Sequence, residues 1–382
     1  MANNGSYIII GAGVFGVSTA LHLIKKYPNA SVTLVDRDAF DADSRVAASW
    51  DWNKVVRADY DDIIYCQLAL EAQDVFNSDP LWQPHFHETG IFWMARDDYA
   101  NEVIRNYQTL GRKADLSTVS VSEARKMHGG LFQNADYSGV KNVLVNKTSG
   151  WVAAGDCLRS VTRAAMALGV RYVVAEVATL TLGENGECTG VITKAGESLT
   201  ASHTIVCAGA YTPKLLDFSA NETGVAELRA GHRIVAGGIT TGMTTLNDSD
   251  FARHEKMPVG SPVRAGSWTS IASAGMSLTP GLRSAWPTNT TTRDAFTTSS
   301  DFIISPHAAA KGLYLATCGS FHGYKFFPVL GKYVVQMLEG DLSAELQAKW
   351  AWDRQRPDPA RNPDWPRVEM KNYLDNTLTA KL

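Results

Sequence analysis

Tyr7-Ile8-Ile9-Ile10-Gly11-Ala12-Gly13-Val14-Phe15-Gly16 is the stretch from which the fold is read. A short apolar run, Tyr7 to Ile10, meets a glycine turn, and Val17, Ala20, Leu21 and Ile24 then recur at helical spacing. Ser31 to Val35 reads as a second strand, and Asp36 follows it, 20 residues beyond Gly16. Strand, glycine turn, helix, strand, acid is the order of a dinucleotide-binding βαβ unit. Gly11 permits the tight turn, Gly13 lets backbone approach a pyrophosphate, and Gly16 lets the helix pack closely on the strand. The helix start offers N–H groups and a positive dipole end to phosphate. Asp36 supplies acceptors for a ribose hydroxyl.

The rest of the chain sets bounds. Its 382 residues suffice for two domains with a sizeable core. A hydrophobic content of 45% and a charged content of 20% are ordinary for a globular protein. The net charge of −3 gives no basic excess for nucleic acid. No apolar run is long enough for a bilayer, and Met1 to Gly5 is too short and polar for a secretory signal, so no membrane partner is expected. Cys66, Cys157, Cys188, Cys207 and Cys318 are scattered, without a CxxC pair or metal-ligand spacing. They fit buried thiols in a reducing compartment, and no metal is expected. Ala380-Lys381-Leu382 is a variant of the SKL address, so the expected location is peroxisomal, through the import receptor, and otherwise cytoplasmic.

Further along, Asp61 to Phe76 reads as a helix. Ser120 and Glu123 form a capping box for a short helix through Met127. Asp156 to Leu168 is a helix closed by Gly169, and Val170 to Ala175 a strand. Thr179 to Cys207 reads as a β-meander with turns at Asn185-Gly186 and Ala195-Gly196. Phe218 to Ser300, rich in Ser, Thr, Gly and Ala, gives no regular pattern. Strands return at Asp301 to Ser305 and Leu313 to Thr317, followed by a helix over Val329 to Leu338. The tail from Trp350 to Pro366 is expected to wrap the surface.

Four segments together carry a family resemblance. They are the N-terminal run from Ser6 to Gly16; Ser44-Arg45-Val46-Ala47-Ala48-Ser49 with Asn53-Lys54-Val55-Val56-Arg57; Ile205-Val206-Cys207-Ala208-Gly209-Ala210; and Thr317-Cys318-Gly319-Ser320-Phe321-His322-Gly323-Tyr324-Lys325-Phe326. The set resembles the fructosyl amino acid oxidases (amadoriases) and the sarcosine, pipecolate and saccharopine oxidases. It covers residues 1–217 and 301–350 well and the interval between them poorly.

The resemblance implies an α/β fold: an FAD-binding Rossmann-type, glutathione-reductase-like domain, with a second mixed-sheet substrate domain that is here shortened. The expected division is 1–60, 150–215 and 312–350 for FAD, 61–149 and 216–311 for substrate, and 351–382 as a surface tail. It implies oxidation of an amine C–N bond to an imine, with oxygen as the second substrate and hydrogen peroxide as product. A monomer is expected. Residues expected against the cofactor are Gly11, Gly13, Val14, Phe15, Gly16, Asp36, Arg37, Ser44, Arg45, Ala48, Ser49, Val177, Ala208, Gly209, Phe321, His322, Gly323, Tyr324 and Lys325. Lys54 and Arg57 fall where the family places cations over the flavin, and Lys325 where its GHGFKF lysine meets substrate. These three are the expected catalytic residues, with Arg57 and Lys325 also converging on a substrate carboxylate.

Departures from the family set further expectations. Relatives link FAD to a cysteine in an Arg-x-Cys-Trp motif; here Arg283-Ser284-Ala285-Trp286, or alternatively Arg293-Asp294-Ala295-Phe296, holds alanine instead. Non-covalent FAD is therefore expected. The lysine that promotes the reaction with oxygen has no counterpart, since Lys256 sits in the wrong context. Trp50 and Trp52 replace polar residues and would favour an aromatic or apolar amine. The shortened interval leaves two alternatives open: a catalytically silent flavin-binding relative or truncated isoform, and a dehydrogenase that uses an acceptor other than oxygen. An NAD enzyme shares the glycine turn but not the motifs beyond residue 44.

Overall fold

The computed structural model describes residues 5–242, 247–254, 257–262 and 289–355. Ser6–Ile10 (β1), Val14–Lys26 (α1) and Ser31–Asp36 (β2) form the expected βαβ unit, with Ile9 aligned between Leu34 and Ile205. The central sheet has six strands, in the order Ile303–Pro306, Leu313–Thr317, His203–Val206, β1, β2 and Arg171–Val174. All neighbours run parallel except the Ile303–Pro306 edge. The parallel strands read as continuous apolar runs because both faces are covered. One face meets the core around Ile9, Leu34 and α1; the other meets Ile8, Ile10 and Leu216.

The described residues also form four smaller sheets. Val259–Pro262, Ile91–Ala95, Asn142–Asn146 and Leu116–Val119 form a mixed four-stranded sheet, and Asn53–Val56, Gly150–Ala153 and Phe86–His87 a three-stranded one. Val177–Leu182, Cys188–Thr193 and Ser198–Thr200 make an antiparallel meander. Val235–Gly242 pairs antiparallel with Asn289–Phe296.

Several expectations are corrected here. The meander stops at Thr200, and His203–Val206 leaves it for the central sheet. Ile303–Pro306, placed by sequence in the substrate domain, is a central-sheet edge strand. The interval from Phe218 to Ser300 is not patternless, because two eight-residue strands pair across it. The helix expected from Asp61 starts at Ile63, because the Asp62 carboxylate caps it by accepting from the N–H groups of Ile64 and Tyr65. The capping box at Ser120 forms, but its helix spans only Val121–Ala124. The chain after Trp350 does not simply lie on the surface: Trp352 is buried, and Arg354 donates to the carbonyls of Asp301 and Phe302. Residues 356–382, including Ala380-Lys381-Leu382, lie outside the described residues.

Candidate active site

The parallel strands end along one edge of the central sheet, and a cavity of about 340 Å³ follows that edge. Its β2 side is lined by Asp36, Arg37 and Val177, its centre by Gly11, Gly13, Ala208 and Gly209, and its Leu313–Thr317 side by Thr317, Cys318, Gly319, Phe321, Gly323 and Tyr324. Ligands of open α/β sheets bind in this crevice, outside the carboxyl ends of the strands.

The glycine turn is fixed by sterics. Gly11 has φ 102°, and a Cβ there would meet the Cys207 carbonyl oxygen at 2.6 Å. A Cβ on Gly16 would stand 1.9 Å from the Gly11 carbonyl oxygen. No side chain caps α1 at Gly13, so its first N–H groups face the cavity uncapped. The Asp36 carboxylate accepts from the Ala12 N–H at 2.7 Å and the Asp38 N–H at 3.1 Å. A carboxylate has about four acceptor positions, so capacity remains for a ribose. Arg45 is buried beneath the turn, donates to the carbonyls of Phe40 and Ala12, and stands 3.6 Å from Asp36. Arg37 lies over the Tyr211 ring at 4.5 Å. A dinucleotide fits these residues: a turn that admits no side chain, an open helix start, and an acid at the ribose position.

Val14, Phe15, Ala48, Ser49 and Lys54 also line the cavity. Gly16 acts from behind the turn. Ser44 is exposed and outside the lining. Trp50 and Trp52 are outside it too: Trp50 is buried between the guanidinium groups of Arg45 and Arg159, at 5.3 and 4.9 Å. Lys54 pairs with Asp51.

Arg57 and Lys325 do not line the cavity; they meet beside it, on one aromatic ring. The Arg57 guanidinium lies 4.7 Å from the Tyr60 ring centre and 4.6 Å from that of Trp93, and donates to the Asp59 carbonyl and to Tyr99. Lys325, buried in the turn Gly323–Phe326, has its ammonium 5.5 Å from the same Tyr60 ring and donates to the His322 carbonyl at 2.8 Å. Burial, with Arg57 nearby, pushes the Lys325 ammonium well below its ordinary range. His322 is held neutral, its pKa pushed down to about 3 by burial and by Lys325. Its Nε2 lies 2.8 Å from the Ser300 carbonyl, which only accepts, so Nε2 carries the proton. Nδ1 then accepts from the Tyr60 hydroxyl at 2.9 Å.

Three residues of the site went unread in the sequence. Tyr60 joins the two cations. Asp59 is fully buried, accepts from Asn146, Ser149 and Tyr107, and is raised above the usual carboxylate range by burial. Asp294 lines the cavity, accepts from the N–H groups of Phe321 and Ala295 at 2.7 and 2.8 Å, and is likewise raised by burial. The signal for Tyr60 and Asp59 was their place just after Arg57. Asp294 stands beside Ala295 in the second of the two motif alignments. Arg283 to Trp286, the first alignment, and Lys256 lie outside the described residues. Among the described residues no cluster of metal-binding side chains occurs and no helix is long and apolar enough to cross a membrane.

The sequence matches the FAD dependent oxidoreductase family over residues 6–337. It is 25% identical to the L-saccharopine oxidase of Schizosaccharomyces pombe, over 97% of this chain and 98% of that protein. That alignment runs over 441 positions, more than this chain has residues, so parts of the relative have no counterpart here. An amino acid oxidase of Aspergillus flavus is 23% identical over 87% of this chain and 92% of its own. Among solved structures, Amadoriase I, a fructosyl amine:oxygen oxidoreductase from Aspergillus fumigatus, superposes with a TM-score of 0.72 at 22% identity, over 96% of this chain and 92% of that one. Fructosyl peptide oxidase from E. terrenum gives 0.73 at 21% identity, over 93% and 94%.

Proposed function

The chain belongs to the FAD dependent oxidoreductase family, and from that premise we propose that it oxidises a C–N bond in an amine derived from an amino acid, giving an imine and hydrogen peroxide. The observation that carries this reading is the convergence of Arg57 and Lys325 on the Tyr60 ring beside the dinucleotide cavity. Arg57 keeps its charge, with Asp59 and the surrounding tyrosines outweighing its burial, while burial and Arg57 oppose the charge of Lys325; an anionic group between them suits both, and an amino-acid carboxylate supplies it. Held there, the carboxylate orients the adjoining C–H. Bound FAD would supply the electron sink. Trp93 and Tyr60 flank Arg57 with apolar faces, which strengthens its hold on a carboxylate by limiting water. Neutral His322 fixes the Tyr60 hydroxyl and adds no third charge.

The saccharopine oxidase and amino acid oxidase relatives support an amino-acid-like substrate. The FAD is proposed to be non-covalent, which Ala295 next to the cavity-lining Asp294 favours. The chain is further proposed to act as a monomer and, on Ala380-Lys381-Leu382, to enter peroxisomes.

The purified protein should be yellow or take up FAD, and should consume oxygen with saccharopine, pipecolate, N-alkyl amino acids or aromatic N-methyl amines. A protein that shows no flavin bands after incubation with FAD would sink the cofactor reading. Flavin without peroxide from any of these amines would favour the silent relative, and turnover with a dye alone the dehydrogenase. Acid precipitation should leave the flavin in the supernatant; flavin retained on the precipitate would point to Cys207 or Cys318, the two cysteines that line the cavity.

A further inference from the structure

We propose that an anionic ligand enters the Arg57–Lys325 site together with a proton, which Lys325 takes up. This rests on the reading of that site as a carboxylate seat and adds a thermodynamic property to it. Lys325 is only 5% exposed, and among the described residues its ammonium donates to one acceptor, the His322 carbonyl. Its other near neighbours are the ring faces of Tyr60 and Phe326, at 5.5 and 5.8 Å. Among the described residues no carboxylate pairs with it.

Of the groups around it, Asp59 alone favours its charge, and weakly. From the segment after Asn53–Val56, Arg57 opposes protonation of Lys325 and Asp59 favours it. Asp59 is committed to Asn146, Ser149 and Tyr107, and burial shifts it towards its neutral form. Burial also raises Tyr60, and Tyr65 on the neighbouring helix, which keeps both hydroxyls protonated. On its own turn, His322 is neutral. Lys349 is turned to Asp62 and Asp301, and Lys54 to Asp51. The free site thus holds the proton affinity of Lys325 well below that of an ordinary lysine. A carboxylate placed against Arg57 reverses the balance, because it offsets Arg57 and gives Lys325 an ion-pair partner.

The sign follows from linkage. The pKa of Lys325 is low in the free site and raised in the complex. Binding therefore takes up a proton at any pH between the two values, and affinity falls by up to about tenfold for each unit of pH rise in that window.

Benzoate is a suitable probe, since it stays ionised throughout and needs no turnover. FAD-loaded protein is titrated with benzoate by calorimetry at about pH 8 in HEPES and in Tris, and flavin absorbance reports that the ligand has reached the site. The expected result is net proton uptake on benzoate binding, with affinity falling as pH rises between the free and bound values. Lys325→Arg, whose guanidinium keeps its charge, should bind benzoate without proton exchange and with flat affinity. Lys325→Met should bind more weakly, also without exchange. Flavin content reports that each variant is folded. Wild-type binding without proton exchange, or exchange that persists in Lys325→Met, overturns the proposal and leaves the carboxylate seat standing. Failure of benzoate to bind the wild-type protein overturns the seat itself, and the proposal with it.

Discussion

At the Asp36 end of the cavity the protein offers a ligand mainly backbone and one acid with its geometry fixed. Beyond the Lys54 end it offers side chains whose charge depends on what lies between them. Asp36 is tied to two N–H groups and stands near Arg45. Arg57, Lys325, Asp59 and His322 are packed among aromatic rings, and burial opposes the charge of each. The first end is set by steric exclusion. The second is set by electrostatics in a dry environment and responds both to pH and to the charge of the ligand. Flavin retention and substrate selection should therefore fail independently.

The sharpest break is at the steric end. In Gly16→Ala the new methyl would stand 1.9 Å from the Gly11 carbonyl oxygen, a backbone atom that cannot turn aside. Overpacking in cores costs about 1–3 kcal/mol and more when backbone must move, so the cost here is expected at or above about 3 kcal/mol. The variant should lose FAD and unfold at a lower temperature. Gly13→Ala is the internal control, since its Cβ would meet only the Ser49 hydroxyl, at 3.3 Å; it should fold and lose flavin affinity alone. Full FAD content in Gly16→Ala, read from absorbance per protein, would remove the steric account.

The next effect belongs to the other end. Arg57→Ala should raise KM for amines that carry a carboxylate by the equivalent of about 2–5 kcal/mol, with FAD content unchanged. Amines without the carboxylate should be affected much less. If the variant loses flavin and keeps its KM, Arg57 serves the cofactor end, and the division between the two ends is wrong.

The first end could be read in sequence because its rule is local: a glycine spacing, a helical period and an acid at a fixed offset lie within Tyr7 to Asp36. The second end could be read only in part. Lys54, Arg57 and Lys325 were found by resemblance, but the joining role of Tyr60 depends on a contact between residues 262 positions apart, the Tyr60–His322 bond. The pairing of Val235–Gly242 with Asn289–Phe296 escaped because Gly- and Thr-rich strands lack apolar alternation, and their register is set across a long interval. Trp50 was misplaced for a related reason. A tryptophan beside a cofactor loop faces the cavity or the core according to what packs behind it, and Arg159, which receives its ring, lies more than a hundred residues away.

The smallest effect tests whether the electrostatic rule reaches into the cavity. Asp294 has two N–H donors and no ion-pair partner among the described residues, and burial raises its carboxyl above the ordinary 3.8. A carboxyl raised on folding adds stability that is fully present below its unfolded pKa and lost as pH rises through the folded one. Near neutral pH the charged form is therefore a liability. What offsets it is the bond to the Phe321 N–H, in a turn where Cys318, Ser320 and Phe321 all have positive φ, at 66°, 50° and 63°. Asp294→Asn keeps one carbonyl oxygen for Phe321, removes the charge, and gives up the bond to Ala295, a loss of about 1 kcal/mol. Relative to wild type the variant should then be destabilised at pH 5 and match or exceed it at pH 8, a crossing seen in thermal unfolding. Asp294→Ala removes both bonds and should be destabilised at both pH values, because the left-handed turn loses its anchor. A difference between Asp294→Asn and wild type that stays constant from pH 5 to 8 would mean that the carboxyl does not change its proton affinity on folding, and would confine the electrostatic rule to the cluster around Tyr60.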